Sequence, residues 1–266
     1  MEAGLGFDSE KVAVVPNAVS AAAVGAVITD LAVAVKKYDD LFDDTPVDKR
    51  DFLIPKLLLM QGVSKLVAEE KARAGEIRGS IDQNKIAEKE GSVEIIPFKV
   101  FKTWVTLAKK GNEFISQVEM TPENYNKPRE EIVDGVEVLN FETLNYYLLL
   151  PEEIKQGMFL PYVVSFRSTS YTAGKTLETH RARLQEFGKP LPFKTFKLGS
   201  SQKKNDKGTY FVYTISESRN STDAELEAVK HWNSVIKQGM VKVDHADLEE
   251  RTSQVPTDTV QAGDQY

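Results

Sequence analysis

Five segments of this sequence combine β-branched and aromatic residues with charges at spaced positions, and proline, glycine or polar turns separate them. Such runs are typical of β-strands, because branched and aromatic side chains pack well on a pleated surface. The segments span residues 52–62, 93–108, 158–171, 191–200 and 208–218. Many short strands with few helices predict a mainly β (α+β) core, of the barrel or the sandwich type.

Three helices are expected around these strands. An Ala/Val-rich stretch predicts the first over residues 16–38. Apolar residues between positions 177 and 187 recur at roughly helical spacing, and Gly188 follows them as a helix C-terminal glycine does. The third helix is predicted over residues 222–237, because Thr222 and Glu225 have the spacing of a capping box.

Residues 12–29 carry no charge and therefore need comparison with a membrane span and a signal peptide. The stretch is rich in alanine, contains Pro16 and follows acidic residues, whereas a signal peptide begins with basic ones. We expect no membrane association and a cytoplasmic location. The chain then divides into an N-terminal extension with the Ala-rich helix and an acidic loop (1–51), a β-rich core with a C-terminal helix (52–243) and an acidic flexible tail (244–266).

Charge is distributed unevenly along the chain. The formal net charge is −6, but residues 1–52, 53–110, 111–160, 161–215 and 216–266 carry −5, +4, −7, +7 and −5. Two basic blocks thus alternate with three acidic ones. This distribution is typical of a protein in which one face attracts a polyanion while the rest of the surface stays acidic.

Signatures of catalysis and of metal binding are missing from the sequence. There is no cysteine, and the histidines at positions 180, 231 and 245 are too far apart for a local zinc motif. The acidic run 38–51 lacks the alternating aspartates and the central glycine of a calcium loop. Residues 173–176 read AGKT but lack the upstream glycine of a phosphate-binding loop. We predict no enzyme, no catalytic residue, no metal and no cofactor.

Aromatic side chains interleaved with cations give the clearest functional signal. Alternate residues of a strand share a face, so Lys102 and Trp104 lie on the same side of their segment. Rings stack on exposed bases while cations neutralise phosphates, although a ring in a strand can equally belong to a core. The candidate DNA-binding residues are Lys102, Trp104, Phe166, Arg167, Lys194, Phe196, Lys203, Lys204 and Lys207.

Several stretches of the sequence resemble a group of bacteriophage single-stranded DNA-binding proteins. They are IPKLLLMQGVSKLV with ARAGEIRGS, VEIIPFKVFKTW, and the long run from LPYVVSFRSTSY to KGTYFVY, all within residues 52–215. The resemblance implies an OB-like β-barrel core that binds and protects single-stranded DNA without strong sequence preference. It further implies a role in phage DNA replication and recombination, and no catalysis.

The C-terminal tail is acidic and ends on Tyr266. Single-strand binders of bacteria and phages commonly end in an acidic tail with a terminal aromatic residue, which recruits replication proteins. The resemblance therefore implies that Tyr266 binds a partner protein.

Two other functions stay open. In a virion structural or assembly protein, the same strands would pack against neighbouring subunits, and an oligomer is compatible with either role. In an RNA-binding protein or transcription cofactor of similar construction, the groove would prefer ribose over deoxyribose.

Overall fold

The computed structural model describes residues 53–111, 113–157, 159–206 and 208–237, together with the backbone of residues 242 and 243. The chain divides into units of residues 1–46 and 47–266, and every described residue lies in the second. The Ala-rich helix, the acidic loop and the acidic tail that the sequence predicts lie outside the described residues.

Strands dominate the described part of the chain. They are β1 Leu53–Ile54, β2 Lys56–Leu59, β3 Ile77–Gly79, β4 Lys85–Ala87, β5 Ser92–Ala108, β6 Phe114–Glu119, β7 Glu130–Val133, β8 Val136–Leu149, β9 Tyr162–Phe166, β10 Lys194–Asn205, β11 Gly208–Asn220 and β12 Lys242–Val243. The helices are α1 Lys65–Ala68, α2 Pro151–Lys155, α3 Tyr171–Glu186 and α4 Asp223–Lys237, with 3₁₀ turns at Ser168–Ser170 and Leu191–Phe193. The prediction of a mainly β fold is confirmed.

Ten of these strands form one mixed sheet, in the order β11-β10-β5-β8-β9-β2-β3-β4, with β6 added beside β5 and β7 beside β8. Its pairs are antiparallel except for β2 with β9, while β1 and β12 form a separate parallel pair. The described residues show no ladder between the end strands β4 and β11. The sheet is therefore open, and the closed barrel that the sequence suggested is not part of the described structure.

The open sheet curls around its main core. Strands from both ends of the sheet contribute to that core, as Leu57, Ile77 and Tyr213 illustrate. The hydroxyl of Tyr213 donates to the carbonyl of Leu57 at 2.7 Å, which ties β11 to β2. Gln61 extends the tie, because its side chain donates to the carbonyl of Phe211 and accepts from its N–H, each at 3.0 Å. The backbone N–H and C=O of Phe211, on this edge of β11, are thus hydrogen-bonded to a side chain and not to a neighbouring strand.

Strand β5 is long because two different strands pair with successive parts of it. β10 pairs with residues 92–95 and β6 with residues 103–107, on the side opposite β8. Between them, no described strand pairs with this side of β5, and the Met120 N–H donates to the Lys102 carbonyl at 2.9 Å. Pro97, which has no N–H to donate, lies in this open stretch, as expected from its chemistry.

Two helices predicted from the sequence are present. α3 lies on the inner face of the sheet and buries Ala173, Gly174 and Leu177, and the chain leaves it through Gly188 at a φ of 65°. α4 begins with the predicted capping box, since the Thr222 N–H donates to Glu225 at 2.7 Å. A cluster that includes Ile96, Leu149 and Val229 attaches α4 to the other face of the sheet.

Candidate functional site

Phe166 and Phe196, two of the predicted stacking rings, lie in the main core. Both side chains are 0 % exposed. The Phe166 ring contacts Tyr146 and Tyr213, with centroids 6.1 and 5.5 Å apart, and the Phe196 ring contacts His180 at 5.2 Å. Neither ring has a free face on which a base could stack, so the prediction is corrected at these two positions.

Trp104 is covered by the loop that joins β6 to β7. Its indole Nε1 donates to the carbonyl of Asn124 at 2.9 Å, and only 9 % of the residue is exposed. A buried indole N–H normally has such a partner, because an unpaired donor in the interior is costly. The ring thus anchors the loop, and little of its surface is open to a base.

Lys102 and Lys194 are each paired with a carboxylate. Lys102 donates to Glu142 at 2.8 Å, and Lys194 lies 2.5 Å from Glu217. Burial raises the pKa of Glu142, but hydrogen bonds from Lys102 and Tyr171 outweigh it and hold that pKa below its usual value. The pKa of Glu217 is lowered chiefly by its hydrogen bond from Lys194. At neutral pH both lysines therefore face an ionised acid.

Lys203 and Lys204 lie on the exposed hairpin between β10 and β11. They stand opposite Tyr210 and Thr209, so Lys203 shares a face with the partly exposed ring of Tyr210. Within the described residues neither lysine makes an ion pair. Lys207, the third lysine of the hairpin, lies outside the described residues.

Arg167 lines a groove at the edge of the sheet, in a cavity of about 730 Å³. We call it the edge groove. Its walls are β2 with the turn after it, the turn before α3, and the outer edge of β11. The described residues that line it are Lys56, Leu57, Leu58, Leu59, Met60, Gln61, Gly62, Val63, Ser64, Gly111, Ser165, Arg167, Ser168, Thr169, Ser170, Thr209, Tyr210, Phe211 and Tyr213.

The edge groove contains two basic residues and many hydroxyl groups. The basic residues are Arg167 and the buried Lys56, and among the described lining residues there is no aspartate or glutamate. Serine, threonine and tyrosine side chains supply hydrogen-bond donors and acceptors. This composition suits a polyanion whose oxygens accept hydrogen bonds.

Ser168 connects the edge groove with a second cavity. The residue has a φ of 49°, a left-handed conformation that is uncommon outside glycine, and it lines both cavities. The second cavity, which we call the Trp104 hollow, has a volume of about 310 Å³ and is lined by Trp104, Lys127, Arg129, Asn140, Phe141, Glu142, Ser168 and Tyr171. The two cavities form neighbouring parts of one surface.

Two basic residues of the Trp104 hollow, Lys127 and Arg129, were not predicted from the sequence. Lys127 lies 3.2 Å from Glu131, and the guanidinium of Arg129 lies 5.5 Å from the centre of the Phe141 ring. Both belong to segment 111–160, whose net charge of −7 gave no indication of a basic surface. Ser168 and Tyr210 were also missed, although the run RSTSY at the end of the predicted strand segment 158–171 was a usable signal for Ser168.

The described residues contain no cluster of three or more histidine, aspartate or glutamate side chains placed to hold a metal ion. Among the helices that the structure describes, none is long and apolar enough to cross a membrane. Tyr266, the predicted partner-binding residue, lies outside the described residues.

A comparison with protein families gives a match. The model of a family described as Pam3 phage gp34-like protein matches residues 25–242, which is more than half of the chain. The chain belongs to this family. As a Pam3 phage gp34-like protein it is a bacteriophage protein, which confirms the phage part of the resemblance, and the description names no activity. Neither the curated proteins nor the solved structures gave a match.

The stretch shared with the Pam3 phage gp34-like family contains the whole described surface discussed above. The edge groove, the Trp104 hollow and the β10–β11 hairpin all fall within residues 25–242. Tyr266 falls outside the matched stretch.

Proposed function

We propose that this protein binds single-stranded DNA along the edge groove and the Trp104 hollow, in phage DNA replication and recombination. The observation that carries the proposal is the lining of the two cavities. It places Arg167 among serine, threonine and tyrosine hydroxyls, beside a hollow that contains Lys127 and Arg129. The protein as a whole has a formal net charge of −6. Basic side chains and hydroxyl groups gathered on one surface of a protein with net negative charge favour a polyanion at that surface.

Phosphate contacts supply most of the proposed affinity. Arg167 and Arg129 would neutralise phosphates and release counterions, and the hydroxyls of Ser168 and its neighbours would accept and donate hydrogen bonds along the backbone. Because Phe166 and Phe196 are buried, stacking contributes less than the sequence implied. The proposed binding surface is a groove on a curled sheet, and DNA binding there does not require a closed OB-like barrel.

A single strand suits this surface better than a duplex. The partly exposed rings of Tyr171 and Tyr210 lie on its two cavities and are available to unpaired bases. In a duplex the bases are already stacked and paired, so that such rings gain nothing from them. The expected ligand is thus an unpaired strand of any sequence.

The test is a titration of fluorescent oligonucleotides, single against double stranded and DNA against RNA, at two salt concentrations. We expect single-stranded DNA to bind most tightly and affinity to fall as salt rises. The variant Arg129→Ala/Arg167→Ala should bind every sequence more weakly, with a salt slope smaller by about one per lost contact. Preference for RNA would instead support the RNA-binding alternative.

A matched control removes the same charge elsewhere. Lys155→Ala/Lys230→Ala changes two exposed lysines on α2 and α4, each paired only with a neighbouring glutamate in the described structure. This variant should bind as the wild type does. Absence of binding by the wild type at low salt, or equal weakening in both variants, would contradict the proposal.

A virion structural or assembly role is the second candidate. The outer strands β6 and β7 expose apolar side chains, including Ile115, Val118 and Ile132. Exposed apolar groups on unpaired strand edges favour protein contacts. Light scattering over a range of protein concentrations tests this role, since assembly without any oligonucleotide binding would favour it over the first candidate.

The acidic tail remains part of the proposal. We expect Tyr266 to contact replication proteins, because an aromatic residue at the end of an acidic segment can serve as a recruitment site. Tyr266→Ala should then leave oligonucleotide affinity unchanged and weaken that recruitment.

A further inference from the structure

A third cavity lies where β5 has no partner strand. Its volume is about 600 Å³, and Val100, Lys102, Tyr125, Asn126 and Arg181 are among its lining residues. We call it the β5 hollow. Cavities of roughly 300–1,000 Å³ are the usual size of small-ligand sites in proteins, so it can hold a nucleotide-sized group.

We propose that the β5 hollow binds one nucleobase of the strand held in the neighbouring cavities. This inference rests on the proposed function and adds a place where bases, rather than phosphates, are bound. None of the residues that carry it is a core ring, and only Lys102 belongs to the set predicted from the sequence.

The β5 hollow shares a wall with the Trp104 hollow. Glu142 accepts hydrogen bonds from Lys102, which lines the β5 hollow, and from Tyr171, which lines the Trp104 hollow. These hydrogen bonds connect the linings of the two cavities. We therefore expect a strand that leaves the Trp104 hollow to reach the β5 hollow next.

Tyr125 provides the stacking surface of the β5 hollow. It lies at the mouth of the cavity and is 59 % exposed, unlike Phe166 and Phe196. A ring that is mostly exposed gains little for the fold, whereas it offers a flat face to a base. Its position beside the cavity makes it the ring through which a base would be held.

The polar edge of a base would meet backbone groups of β5. The Lys102 carbonyl points to the open side of the strand, where it accepts from the Met120 N–H. Because alternate residues of an antiparallel strand direct their N–H and C=O groups to the same side, those of Val100 also point there. No described strand pairs with them. They form an adjacent donor and acceptor beside the cavity.

Arg181, which also lines the cavity, is held in place by hydrogen bonds. Its Nε donates to Glu178 at 3.2 Å, and Glu178 also accepts from the buried hydroxyl of Tyr146. The guanidinium has five N–H donors, and its Nη1 group makes no bond to any described residue. It is therefore a positioned donor for a base carbonyl or for the phosphate that follows the base.

The test compares a short single-stranded oligonucleotide with one of equal length that lacks its bases. Wild-type protein should bind the normal strand about 5- to 150-fold more tightly for each base that it holds. In Tyr125→Ala that preference should fall by a factor in this range, while Tyr125→Phe should keep it. An oligonucleotide carrying 2-aminopurine should lose fluorescence on wild-type protein and much less on Tyr125→Ala.

Phe187→Ala is the matched control, because Phe187 is 77 % exposed at the C-terminus of α3 and lines none of the three cavities. It should bind both strands as the wild type does. If wild-type protein binds oligonucleotides but Tyr125→Ala keeps the full preference for bases, the β5 hollow is not a base site and the proposed function stands. If wild-type protein binds neither strand, both proposals are wrong.

Discussion

At the scale of single residues, burial decides which aromatic rings can contact a ligand. Phe166 and Arg167 are neighbours in sequence, and the strand directs the first into the core and the second towards the edge groove. Sequence alternation identifies two faces of a strand. It does not say which face is covered, and a ring flanked by a cation fits either case. The candidate residues therefore separated into core and surface only in three dimensions.

The first residue-scale prediction concerns Phe166. Phe166→Ala should lower the free energy of unfolding by about 3–5 kcal/mol, because it removes a fully buried ring and leaves a cavity. Urea unfolding followed by circular dichroism measures the effect. Phe187→Ala, which removes an exposed ring, should change stability by less than about 0.5 kcal/mol. Unchanged stability together with weaker DNA binding in Phe166→Ala would return this ring to the binding site.

At the scale of elements, strands and caps were the most predictable features. The runs at 93–108 and 208–218 became β5 and β11, since β-branched and aromatic residues at alternating positions specify a strand locally. Thr222 and Glu225 specified the start of α4 for the same local reason. β7 was missed because residues 130–133 contain two glutamates and look like a turn, and only pairing with β8 makes them a strand.

The capping box of α4 makes stability depend on pH. Burial raises the pKa of Glu225, but hydrogen bonds from Arg219 and the Thr222 N–H lower it by more. Its folded-state pKa is thus below the ordinary value of 4.5, so the stabilisation is present above that pH and is lost as pH falls through the folded-state pKa.

We therefore expect Glu225→Gln to be less stable than the wild type by about 1–3 kcal/mol near neutral pH, and by clearly less at strongly acidic pH. Urea unfolding at both pH values checks this. Glu227→Gln is the matched control, since Glu227 is an exposed acid of the same helix. A difference between Glu225→Gln and the wild type that grows on acidification would show that the sign of the pKa shift is wrong.

The β10–β11 hairpin is the element that extends the edge groove. Lys203→Ala/Lys204→Ala/Lys207→Ala should weaken binding to all DNA sequences alike and reduce its salt dependence, because these lysines would contact phosphates. The control Lys71→Ala/Lys155→Ala/Lys230→Ala removes three exposed lysines away from the hairpin. Unchanged affinity and salt slope in the hairpin variant, measured by fluorescence titration, would remove the hairpin from the site.

At the scale of the whole molecule, folding brings together charges that the chain keeps apart. Arg167 comes from the segment of charge +7, whereas Lys127 and Arg129 come from the segment of charge −7. The charge counted by segment pointed to the region that contains Arg167. It did not point to Lys127 and Arg129, because acidic residues outnumber basic ones in their segment. The two cavities that contain these residues adjoin at Ser168. The sequence could not predict this, because the arrangement depends on the curl of the sheet and on the position of the β6–β7 loop.

The tie between β2 and β11 has a consequence for how a long polymer gains entry. Gln61 and Tyr213 join the two strands through side-chain hydrogen bonds, and both residues also line the edge groove. The proposed binding surface therefore lies on the outside of this junction. A filament laid along it would need no free terminus and would enter from the side, at any point of a single-stranded gap.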